Sequence, residues 1–172
     1  MIELVKSSLL GQFEAAVSML GESLANWPDA HFQAPVHKLS FDQALFHTLF
    51  FTDLYLGESL DDQREQAFHR GHPVDFGDYE ELENRSRKNH YSREFLVEYL
   101  AFCRAKLREV IAAETEVTLT AISQIPWLSM SRLEAHEYNM RHVQHHAGQL
   151  ILKMRMNDFH EAGWVKSGSP GG

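Results

Sequence analysis

The chain has 172 residues, 44% hydrophobic and 23% charged, with a formal net charge of −8 at pH 7. That length and apolar content suit one folded domain with a sizeable core. The acidic balance argues against a nucleic-acid partner, whose phosphates are bound chiefly by Lys and Arg, and against attraction to an anionic membrane surface.

The one cysteine, Cys103, permits no intrachain disulfide and fits a reducing compartment, so the cytoplasm is expected. It lies in the apolar run Tyr99-Leu100-Ala101-Phe102-Cys103 and reads as a buried, inert thiol. No stretch approaches the roughly 18 uninterrupted apolar residues of a membrane span, and the first residues lack the form of a signal peptide. The one basic cluster, Arg104-Ala105-Lys106-Leu107-Arg108, reads as a solvated helix face.

Apolar residues at Leu4, Leu9, Phe13, Val17, Leu20 and Leu24 predict an amphipathic helix over about 3–25, with Met19 off the stripe. Trp27-Pro28 ends it, because proline disfavours helical geometry at the preceding residue. Ser40 and Gln43 have capping-box spacing and open a second helix over 41–58, apolar on most of its circumference and therefore heavily buried.

Residues 59–91 are polar and broken by Gly71, Pro73 and Gly77. They read as a long connection holding a short helix in 78–87. Ser92 starts a third long helix, 92–113. Residues 114–130 stay ambiguous around Pro126-Trp127, and Ser129 or Ser131 opens a fourth long helix to about 157. The expected fold is all-α, a four-helix bundle with a long crossover between helices 2 and 3. Its domain spans 1–166, followed by a flexible Gly/Ser tail at 167–172.

Eleven histidines are the unusual feature. His142 and His146 lie four apart on the fourth helix, one above the other on the same face, where both rings can reach one ion. His145 points roughly 100° away from His146. His47 shares an apolar stripe with Phe50, Phe51 and Leu54, so its ring needs a hydrogen bond, an ordered water or a metal. The apolar stripe of the fourth helix centres near Met140, Ala147 and Ile151. His142 and His146 fall at its border, beside Ala135, Tyr138, Asn139 and Gln149, so a site there belongs at a mouth of the bundle. Gln149, Asn139, Glu137 and Asp53 are the candidates to orient ligating rings, against the commoner reading of each as a solvated polar residue. His136 and Tyr138 are candidate general bases at the mouth. His69, His72 and His90 read as surface histidines of a polar loop.

Four segments together resemble the DinB-like superfamily, which includes YfiT-like metal-dependent hydrolases and low-molecular-weight thiol S-transferases. They are Trp27-Pro28, Leu45-Phe46-His47, Tyr91-Ser92-Arg93-Glu94-Phe95-Leu96, and His142-Val143-Gln144-His145-His146-Ala147-Gly148-Gln149-Leu150. The resemblance spans nearly the whole chain. It implies a four-helix bundle with His47, His142 and His146 as metal ligands, and a homodimer. Ala147 stands where the signature is usually basic, which bears on recognition rather than ligation.

Three imidazoles with an open position make a catalytic type of site. Zinc or nickel suits imidazole best, with iron or manganese compatible. The metal would activate a low-molecular-weight thiol for S-transfer, or water for hydrolysis, on a small-molecule substrate. The competing reading is a non-catalytic metal-binding or stress-related bundle.

Overall fold

The computed structural model describes residues 1–77 and 79–168. Among these it contains seven α-helices and no strands: α1 (Ile2–Asn26), α2 (Phe41–Leu56), α3 (Leu60–Glu65), α4 (Ala67–Gly71), α5 (Arg93–Ala113), α6 (Glu116–Thr120) and α7 (Arg132–Met156). Three-residue 3-10 turns lie at Asp29–His31 and Glu80–Leu82.

The long helices begin where side chains can satisfy the orphan N–H groups of a first turn. The Ser40 N–H donates to Gln43 Oε1 (3.2 Å) at the start of α2, and the Ser131 N–H to Glu134 Oε2 (3.0 Å) at the start of α7. Ser92 Oγ accepts from the Phe95 N–H at α5. Trp27, in extended geometry ahead of Pro28, stops α1 and stacks on Phe41 with ring centroids 4.0 Å apart.

α1 and α2 each pack against both α5 and α7, so every long helix has two long neighbours. The core between them holds Phe13, Leu20, Leu24, Leu45, Leu49, Leu54, Leu96, Tyr99, Leu107, Val143, Ala147 and Met154. Met19 is buried too, although it lies off the α1 stripe, because α1 faces two neighbours at once and buries a wider arc. Leu4, on the stripe, is exposed.

The connection from α2 to α5 departs from expectation. It contains α3 and α4, and over 79–87 it forms only the turn at Glu80–Leu82, while Asp78 lies outside the described residues. Polar groups anchor it to the core. Asp53, fully buried on α2, accepts from Lys106 Nζ of α5 (2.6 Å) and from the Tyr99 hydroxyl (3.0 Å). His69 Nε2 of α4 lies 2.7 Å from the same carboxylate, and its Nδ1 lies 2.7 Å from the Tyr79 hydroxyl. Burial alone would raise the Asp53 carboxyl, but the His69 hydrogen bond and the Lys106 charge outweigh it and hold the group ionised.

Two expectations are corrected here. His69 is a buried hydrogen-bonded residue stacked on Phe76, not a surface histidine. His90 is exposed, as expected, and His72 partly so, and each has an acidic partner, Asp42 and Glu98 respectively. The basic cluster of α5 is not a solvated face, since Lys106 serves Asp53 while Arg104 and Arg108 pair with the buried Glu14. Cys103 is buried as expected, and burial raises its thiol well above the ordinary range.

Of the tail, residues 169–172 lie outside the described residues, and the Gly168 N–H donates to the Gly11 carbonyl of α1 (2.7 Å). No helix among the described residues is long and apolar enough to cross a membrane.

Candidate metal centre

α2 and α7 pack side by side, and their contact carries His47 from one helix and His142 and His146 from the other. One ligand atom from each lies within 4.8 Å of the other two. The ring centroids are 5.6 Å apart for His47–His142, 5.1 Å for His47–His146 and 4.6 Å for His142–His146. All three are partly buried, which places them at the border of the α7 apolar face, between the buried Val143 and Ala147 and the exposed His145. Phe51 and Tyr55, one turn and two turns beyond His47, pack edge-on against His142.

Two of the rings are oriented by neighbours. His47 Nδ1 lies 2.6 Å from Glu81 Oε2, so a neutral His47 donates its Nδ1–H to that carboxylate and keeps a lone pair on Nε2. Glu81 is itself buried and held by Arg87, whose Nε donates to Oε1 at 3.0 Å and whose other nitrogens bind the carbonyls of Glu81, Glu83 and Arg85. His146 Nδ1 lies 3.1 Å from Gln149 Oε1. His142 Nδ1 is buried with no hydrogen-bond partner, an exception to the rule that buried polar atoms are paired.

The environment keeps the α7 pair neutral. Burial lowers His142 to about 3, with the nearby histidines His146, His47 and His145 adding to the effect. Burial, then His47 and His145, lowers His146 to about 4. Neutral rings are the form that binds a cation. A metal therefore fits this donor set: three imidazoles on a common point, two of them oriented by hydrogen bonds, and no fourth histidine, cysteine or carboxylate joining the group among the described residues.

Two cavities reach the triad. One of about 650 Å³ is lined by His47 and His146 together with His37, Lys38, Arg85 and Arg87. Another, of about 440 Å³, opens on His142 beside Tyr138, Arg141 and His145. The site thus sits at a mouth, as the border position of the histidines implies.

Several sequence candidates fall elsewhere. His136 is not at the mouth. It is fully buried, with Nε2 2.9 Å from Glu114 Oε1 in a cluster with Arg132 and Thr118. Asp53 orients His69 rather than a member of the triad. Asn139 is committed to the Thr52 carbonyl, and Glu137 is exposed. Tyr138 does line the second cavity, against Tyr55. Of these candidates Gln149 does reach His146, and it also bonds the exposed His145. The residues missed were Glu81, Arg87 and Lys38, all from loops without periodicity.

The model of the DinB superfamily matches residues 12–150, and the chain belongs to that superfamily. No curated protein and no solved structure gives a significant match.

Proposed function

We propose that the protein is a metal-dependent enzyme in which His47, His142 and His146 hold one divalent transition ion. The observation that carries the reading is the convergence of three imidazoles, without a carboxylate or thiolate among them, where His47 and His146 line one open cavity and His142 another. Structural zinc sites are closed by four protein ligands, whereas a three-ligand site facing a cavity leaves a position for a reactant. Membership of a superfamily that commonly binds metal supports the same reading.

A divalent ion held by His47, His142 and His146 would supply Lewis acidity, enough to bring water or a thiol to its anionic form near neutral pH. Around it, Glu81 fixes the tautomer and orientation of His47, and Gln149 does the same for His146. The rings of Phe51 and Tyr55 pack edge-on against His142, and Phe51 also against His47. Cys103 is too deeply buried to be the thiol, so a thiol reactant is an external small molecule. We read the reaction as thiol S-transfer or hydrolysis on a small molecule. We read the architecture as a four-helix bundle with a crossover through α3 and α4, and the assembly as a homodimer, which light scattering of the purified chain checks directly.

The test is cobalt substitution. Cobalt-loaded protein should show a visible spectrum that shifts on adding a small thiol, with a sulfur-to-metal charge-transfer band. Co(II) bound with a spectrum indifferent to every thiol, together with no ester or amide turnover, would leave the non-catalytic reading in its place.

A further inference from the structure

The cavity in front of His47 and His146 has a charge character opposite to that of the chain. The protein carries 24 acidic against 16 basic residues. Yet the charged side chains lining this cavity among the described residues are Lys38, Arg85 and Arg87, with no carboxylate. The acidic partners of the two arginines are not among the lining residues. Arg85 pairs with Glu80 (3.2 Å) and Glu83 (2.5 Å), and Arg87 with Glu81. Lys38, on the exposed loop before α2, makes no ion pair among the described residues. The glutamates offset the two arginines but not Lys38, and a divalent ion held by the three histidines would add two further positive charges beside the cavity. A cleft lined by one sign of charge focuses its field and concentrates ligands of the opposite sign. Its volume of about 650 Å³ lies in the range that encloses a small molecule.

We propose that this cavity recognises a small anionic substrate, its carboxylate or phosphoryl group held by Lys38 with Arg85 and its reacting group directed at the histidine triad. The proposal rests on the metal reading above and names the substrate class for that site. The Arg85 guanidinium, braced by carboxylates that include Glu80 and Glu83, offers a planar array of donors, and Lys38 offers a point charge with no ion pair among the described residues. Arg87 serves as the clamp on Glu81, whose carboxylate offsets its charge.

The test uses the full-length protein loaded with zinc, its zinc content fixed by elemental analysis before each titration. Succinate, inorganic phosphate and neutral succinamide are titrated calorimetrically into the native chain and into Lys38→Met, an exposed loop position whose replacement leaves the core untouched. Thermal melting of both proteins confirms equal folding. At least one anion should bind, at least tenfold more tightly than succinamide. Lys38→Met should weaken it at least fivefold with zinc retained, and Lys38→Glu should weaken it further. Tighter succinate assigns a carboxylate, and tighter phosphate a phosphoryl group. Succinamide binding as well as either anion would overturn the proposal. So would an anion affinity unchanged in Lys38→Met, which would mean that the ion alone attracts the ligand. Loss of zinc from the native protein would instead refute the metal reading, and the elemental analysis detects that separately.

Discussion

His47 and Glu81 show how one loop residue can decide what a helix residue does. A histidine on an apolar stripe has two satisfactory fates, a hydrogen bond or a metal, and here the ring has groups for both: Nδ1 faces Glu81 and Nε2 is left for an ion. Replacing Glu81 with Gln should lower metal affinity about 10–100-fold, as loss of such orienting partners typically does, with helix content unchanged. Competition with a chelator measures it, and an unaltered affinity would show that Glu81 is incidental. The three histidines were legible because helical spacing pairs His142 with His146 and because the flanking motifs resemble the superfamily. Glu81 was not legible, since it lies in a polar stretch with no period to assign it a direction. His136 misled for the opposite reason: it sits near the HxxxH pair in sequence, but the twist of α7 carries it into the core, where Glu114 accepts its hydrogen bond.

At the scale of elements, the long helices follow directly from apolar spacing and caps, whereas the α2–α5 connection does not. Hydropathy reads residues 59–91 as solvated, yet Gln63, His69, Glu80 and Glu81 are buried. They enter the interior through polar pairing, which no hydrophobic pattern reports. The Asp53 cluster joins α2, α4 and α5 through His69, Tyr99 and Lys106. Lys106→Met should leave the Asp53 charge buried with one partner fewer and destabilise the fold by about 3–5 kcal/mol, read from urea denaturation. A change below about 1 kcal/mol would mean that water compensates the carboxylate. Ser131→Ala, which removes the cap of α7, should cost about 1 kcal/mol in the same assay.

For the whole molecule, the buried neutral histidines make stability depend on pH in a definite direction. His142 and His146 are held at about 3 and about 4 in the fold and return towards 6.5 on unfolding. Between those values the unfolded chain binds more protons, so acid favours it. The metal-free protein should therefore be fully stabilised by this pair above pH 6.5 and lose that contribution as the pH falls towards 4 and then 3. The His142→Ala, His146→Ala double variant should show a flatter stability profile over this window in denaturant titrations, and an equally steep one would place the effect elsewhere. The same two neutral rings connect stability to function, because a fold that keeps them unprotonated at neutral pH also keeps them ready for a cation.

The most direct measurement is metal content by elemental analysis of tag-free protein, for the native chain and for His47→Ala and His142→Ala, each checked for helix content. About one equivalent of zinc, nickel or another transition metal per native chain, lost from both folded variants, is the expected result. No metal in the native chain, and no uptake when ions are supplied, would contradict the account and leave three histidines that meet without an ion to hold.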